Sequence, residues 1–203
     1  MHRRTRLCTT ALTGLLLTLA PVYLMASQIF LTPLPLDEVV GQSALIVVAH
    51  RAEPHTVEVK IPVEGTPKIP PFTRYDERWV VDEIVHHTTK LIPAPAPQVG
   101  EAIQVAPAEW SDMMAGHVEY ERHGIMESPA LLSHTPSGAI PREPGAKVIL
   151  MLSPEKSQGK LSWRYTLTGA QEPLSGRPAI EAALKTGPTS TITPAPTPKG
   201  ASK

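Results

Sequence analysis

Over most of the chain the apolar residues fall in short runs or strict alternations, which predicts strands. Ala44 to Ala49 (ALIVVA) is a continuous apolar run, suited to a strand buried on both faces. Thr56 to Ile61 (TVEVKI) alternates, with Val57, Val59 and Ile61 on one side, and the two segments predict a hairpin around Glu53-Pro54-His55. Trp79 to Val85 (WVVDEIV) and Ala102 to Val105 (AIQV) are further strands, divided by a proline-rich connection and Gly100. Lys147 to Leu152 (KVILML) and Leu161 to Leu167 (LSWRYTL) form the clearest pair, across a loop containing Pro154 and Gly159. The pattern yields about six strands.

Helical spacing is rarer. Trp110, Met113, Met114, His117, Val118 and Glu121 recur at helical intervals, so Pro107 to Arg122 is expected to be an amphipathic helix stopped by Gly124. Pro178 to Lys185 (PAIEAALK) has proline in its first turn and Gly187 beyond its end. Leu36 to Gln42 predicts a turn of helix before the first strand. The fold class expected is mainly β, a small, partly open barrel with one or two short helices.

Prolines, 23 in 203 residues, punctuate this pattern at Thr32 to Leu36, Thr66 to Phe72, Ile92 to Gln98 and Thr193 to Lys199. Residues 186–203 lack the apolar content to fold and are expected to be a disordered tail. The expected domain covers residues 36–185. Ahead of it, Arg3, Arg4 and Arg6 precede the uncharged run Leu7 to Leu19, with Ala26 placed for cleavage. That is the pattern of a secretory signal peptide over residues 1–26, which implies a periplasmic or secreted protein. A membrane enters this reading only if the segment stays uncleaved, since Leu7 to Ala26 approaches the roughly 20 residues of a spanning helix.

Charge and cysteine narrow the function classes. Removing the three arginines takes 19 basic residues to 16 against 19 acidic ones, a balance of −3 with no attraction for nucleic acid. The one cysteine, Cys8, lies inside the signal, so the mature chain has no thiol for a disulfide.

The succession LDEVVGQSALIVVAHRAE, WVVDEIVHH, GEAIQV and GAKVILMLS resembles OB-fold-like secreted modules of the netrin or metalloproteinase-inhibitor type, over about Leu36 to Ser153. The resemblance implies a small β-barrel. Protease inhibition does not carry over, because that family's N-terminal cysteine and disulfides are absent here.

The richest polar cluster is His117-Val-Glu-Tyr-Glu-Arg-His123. As a strand it places His117, Glu119, Glu121 and His123 on one face, a ligand set for zinc or a similar divalent ion. As a helix the set splits into surface pairs four apart. Ser153-Pro-Glu-Lys156 with Lys185-Thr-Gly187 imitates the SxxK and KTG elements of penicillin-recognising enzymes, but the SDN element is missing and Ser153 follows a strand into a hairpin loop. No nucleophile elbow, phosphate loop or dinucleotide fingerprint occurs. His86 and His87 are expected at a sheet rim, the alternative being a metal site shared with His50 or His55, and Asp76-Glu77 and Asp82-Glu83 should send their carboxylates to opposite faces. With only 2 phenylalanines, Trp79, Trp110 and Trp163 are expected to fill the core; the alternative is that they form, with Tyr75, Tyr120 and Tyr165, a sugar- or peptide-stacking surface.

The function expected is a non-catalytic exported binding or scaffold domain engaging an envelope or secreted protein or a glycan. Trp110, Tyr120 and Arg122 are its expected binding surface, and Tyr120 to Pro144 its recognition loop. The alternative is a metal-binding protein or metal-dependent hydrolase centred on His117 to His123.

Overall fold

The computed structural model describes residues 31–62, 71–89, 94–108, 131–157 and 160–187. In chain order these form β1 (Leu31–Pro33), α1 (Leu36–Gln42), β2 (Leu45–Ile61), β3 (Phe72–His87), β4 (Ala102–Ala106), β5 (Leu131–Ser133), β6 (Lys147–Ser157), β7 (Lys160–Tyr165), β8 (Gln171–Pro173), a 3-10 turn (Leu174–Gly176) and α2 (Arg177–Thr186). The expected signal peptide lies outside the described residues, as do residues 188–203 of the expected tail.

The chain divides into two compact units, residues 1–32 with 112–131 and residues 33–111 with 132–203. In the first, only Leu31, Thr32 and Leu131 are described. The second is mainly β. Its strands run in the order β2-β3-β4-β7-β6-β8, and β2 pairs again with β6, so five strands close a ring of pairings. The neighbours are antiparallel except β4 and β7, which run parallel through Val105↔Trp163 and Ala106↔Arg164. A separate two-stranded sheet joins β1 and β5.

The continuous apolar runs sit where their pattern requires. Leu45 to Val48 on β2 pair with His87 to Glu83 on one side and with Leu152 to Ile149 on the other. A strand with neighbours on both edges and packing on both faces has no position for a polar side chain, hence the run ALIVVA. Val148 to Leu152 on β6 are likewise fully buried. Trp79 and Trp163 join this core, as the shortage of phenylalanine predicts. α1 buries Val39 and Val40, α2 buries Ile180 and Ala183, and the two helices pack on one another. Pro178 opens α2, and Gly187, at φ 72°, ends it with its N–H on the Ala183 carbonyl.

One expectation fails in an instructive way. Ala44 to Ala49 and Thr56 to Ile61 are not the two arms of a hairpin; they are one strand, β2, interrupted by a bulge. Pairing jumps from Arg51↔Trp79 to Thr56↔Glu77, so Ala52 to His55 are extra residues against β3, and the Glu53–Pro54 bond is cis. The hairpin partner of β2 along its whole length is β3, which begins at Phe72, seven residues before the apolar signal starts.

Candidate functional site

β3 sorts its polar residues by the period of two. Tyr75, Glu77 and Trp79 lie on one side and Arg74 and Asp76 on the other, and each side builds a different polar cluster. On the first, the Trp79 indole is fully buried and its Nε1–H is shared between Glu77 Oε2 at 3.2 Å and Tyr165 Oη at 3.1 Å. The Tyr165 hydroxyl donates to the same Glu77 oxygen and accepts from Gln171 Nε2 at 2.7 Å. Arg51 stacks on the Trp79 ring, 5.5 Å from its centroid. Burial, followed by the neighbouring Glu77 carboxylate, pushes the Tyr165 phenol well above its ordinary value near 10. It stays protonated at physiological pH and holds the carboxylate as a donor.

Of these groups, Glu77, Tyr165 and Gln171 line a cleft of about 410 Å³. Glu77, Tyr165, Gln171, Thr56 and Thr168 form its polar part, Val105, Pro107 and Ala108 an apolar wall, and Tyr75, 60 % exposed, stands beside them. Such a mixture of apolar surface and a few fixed polar groups is the usual composition of a ligand site.

On the other side of β3, Arg74 is an ionic hub. Its Nε lies 2.6 Å from Asp76 Oδ1 and its Nη2 donates to Asp76 Oδ2, while Nη1 donates to both oxygens of Glu155 on β6, at 2.9 and 3.1 Å. Arg74 and Asp76 are buried, and the planar guanidinium meets both carboxylates at once, bonding both oxygens of Glu155 and Asp76 Oδ2, while the contact of Nε with Asp76 Oδ1 is an ion pair without hydrogen-bond geometry. This cluster ties the far ends of β3 and β6 together.

A third cluster centres on Glu172 of β8, which is buried. Oε1 accepts from His134 Nε2 at 2.6 Å and Oε2 from the Ser137 hydroxyl at 2.5 Å, and the Ser137 N–H reaches both oxygens. Serine, histidine and glutamate are the components of a nucleophilic triad, but here the carboxylate stands between the other two. No hydrogen bond joins Ser137 to His134 among the described residues, so the imidazole cannot take the hydroxyl proton. The arrangement clamps the segment after β5 onto β8.

The adjacent acids of the sequence do diverge. Asp76 faces Arg74 while Glu77 faces Tyr165; Asp82 meets His50 at 2.9 Å and Lys147 at 3.3 Å, while Glu83 receives a bidentate pair from Arg177. His86 and His87 pair with Ile46 and Leu45, away from His50, which pairs with Val80. His87 Nε2–H donates to the Ala94 carbonyl, and burial lowers the pKa of His86. Ser153 Oγ bonds the Gln42 carbonyl and Thr166 in the β6–β7 ladder, a strand setting unlike that of a helix-borne nucleophile.

The proposed metal ligands His117, Glu119, Glu121 and His123 lie outside the described residues, and so do Trp110, Tyr120 and Arg122. Among the described residues no group of three or more histidine, cysteine, aspartate or glutamate side chains is placed to hold a metal ion. The expected recognition loop is divided: its first part is outside the described residues, while Leu131 to Ser133 is a strand and His134 and Ser137 are anchored to Glu172. Of the cleft residues, Tyr75 and Tyr165 belong to the aromatic set read from the sequence as a possible stacking surface and Glu77 to the divergent Asp76-Glu77 pair, while nothing in the sequence singles out Gln171. The alternation of Trp79 on β3 and Tyr165 on β7 carried the available signal, because it aims both rings to the inside of neighbouring elements. No helix among the described residues is long and apolar enough to cross a membrane. Comparison of the chain with protein-family models, with curated proteins and with solved structures finds no match.

Proposed function

We propose that this chain is an exported, non-catalytic binding or scaffold domain that engages an envelope or secreted partner through the cleft beside Tyr75 and Glu77. The observation that carries the reading is the pre-ordered floor of that cleft. Trp79 and Tyr165 hydrogen-bond Glu77, and Gln171 in turn holds Tyr165, in a network formed before any ligand arrives, so ordering these groups costs a partner nothing further. The Tyr165 phenol is not poised for acid–base work, since it is held protonated and has its donor and both acceptor sites occupied. Export rests on the basic, apolar and small-residue order of residues 1–26.

The five-strand ring is, in this reading, a partly open OB-like barrel. Its mix of hairpin-linked antiparallel strands and one parallel closing pair supports that assignment, and such barrels bind on an exposed strand face and its loops. Photo-crosslinking in the native cell tests the function. With benzoylphenylalanine in place of Tyr75, one dominant adduct, a single protein or glycan species, is expected, and with the same residue in place of the exposed Lys185, none. Equal labelling from both positions, or no adduct from either, would overturn the reading.

A further inference from the structure

We propose that the cleft selects a protonated aliphatic amine, of the kind a lysine side chain presents on an extended partner segment. The inference rests on the cleft being the binding face and adds the chemistry of what it takes. Glu77 contributes the charge. Its Oε2 is occupied by the Trp79 indole and the Tyr165 hydroxyl, while Oε1 accepts no hydrogen bond among the described residues. No ion pair reaches this half-buried carboxylate among the described residues either; Arg51 is stacked on the Trp79 ring face. A carboxylate drawn out of water without a cationic partner is costly, and a ligand cation offsets that cost.

The remaining groups discriminate among ligands. Tyr165 has nothing left to offer, because its hydroxyl donates to Glu77 and accepts from Trp79 and Gln171. Glu77, the charged group of the lining, accepts only, and the Thr56 and Thr168 hydroxyls accept as well as donate, so the cleft favours a cationic head rich in donors over one that brings acceptors alone. An ammonium has three donors and no acceptor. Val105, Pro107 and Ala108 give an apolar wall for a methylene stem, the part of a lysine that packs on hydrocarbon while its head stays polar. Tyr75 offers an exposed ring face to the same cation.

Small probes test this on the full chain. Titration with Nα-acetyl-lysine methylamide, followed by backbone amide shifts, is expected to give saturable perturbation at Glu77, Val105 and Ala108. Its norleucine counterpart, with the same stem and no charge, should give none. Glu77→Gln keeps the acceptor for Trp79 and Tyr165 and removes the charge, and should weaken the lysine probe at least about tenfold, as one lost charge-assisted contact does. Should that variant fail to fold, raising salt from about 0.05 to about 0.5 M is expected to weaken the wild-type interaction by screening. Tighter binding of glucosamine, or equal binding of glucose, would overturn the selection of a lysine-like amine while leaving the cleft a binding site. Silence from every probe, together with no adduct from position 75, would overturn both readings.

Discussion

Two glycines with the same backbone conformation separate what left-handed geometry costs from what close packing costs. Gly145 has φ 76° with nothing within 4 Å of where a Cβ would stand; Gly169 has φ 77° with the His134 carbonyl oxygen 2.5 Å from that point. Gly145→Ala should destabilise by about 1–2 kcal/mol, the left-handed penalty alone. Gly169→Ala should cost clearly more, roughly 3 kcal/mol, because the carbonyl that must move is backbone. Urea denaturation of both variants checks the difference. Tyr165 gives a second residue-scale expectation. Its folded pKa is raised, so its contribution is fully present below pH 10 and declines as pH rises and the unfolded chain's tyrosine ionises. Tyr165→Phe should flatten that alkaline decline while losing about 1–3 kcal/mol at neutral pH, because Gln171 Nε2 loses its acceptor and Glu77 is left with the Trp79 indole as its one donor among the described residues, measured as denaturation midpoints from pH 8 to 11. Trp79 and Trp163 could be read as core from composition, since few other large apolar side chains exist to fill it. The Glu77–Tyr165 contact could not, because it joins residues brought together only by the β3, β4 and β7 neighbourhood.

Among the elements, four defined by their own periodicity were readable, while the amphipathic helix expected over Pro107 to Arg122 lies, beyond Ala108, outside the described residues. α1, α2, the Lys147 to Leu152 run and the alternation from Leu161 appear where the pattern puts them. β3 was half missed, since Phe72 to Arg78 (FTRYDER) has too few apolar residues to announce a strand. It is a strand because β2 supplies a full ladder and Glu155 supplies a partner for Arg74. The bulge at Ala52 to His55 was misread as a turn for the related reason that proline between polar residues marks an interruption without saying whether the chain reverses. The ionic link between β3 and β6 should therefore matter to stability. Arg74→Ala leaves buried Asp76 uncompensated and is expected to cost about 3–5 kcal/mol, the range for breaking a buried pair. Arg177→Ala is the control: its pairs with Glu83 and Glu181 are solvent-exposed, and only a slight change is expected even though Arg177 holds the Glu83 carboxyl below its usual range. Ile180→Ala, at a fully buried site of α2, should cost about 2–5 kcal/mol. Thermal melts of the three variants give the ranking.

For the whole molecule, mainly β composition was legible and the order of the strands was not. Nothing local in Ala102 to Val105 says that its second neighbour is Leu161 to Tyr165, or that the two run parallel. The ring predicts an uneven distribution of stability. Leu45 to Ala49 are paired on both edges with β3 and β6, whereas Thr56 to Ile61, among the described residues, pair with β3 alone and are half-buried or exposed. Amide exchange should be slowest in Leu45–Ala49 and Val148–Leu152 and fastest, among the strands, in Thr56–Ile61. Equal protection along β2 would mean that the two halves open together.

The closing pairs also impose a schedule on the chain. Leu45 waits for Leu152, and Val105 waits for Trp163, so neither edge can be sealed until the last quarter of the polypeptide exists. Such long-range pairing delays folding, and a chain cut short leaves two strand edges able to pair with those of other copies. A fragment ending at Ala146 should accordingly be prone to aggregate, and the full chain should acquire protection in one late step when its C-terminal strands arrive.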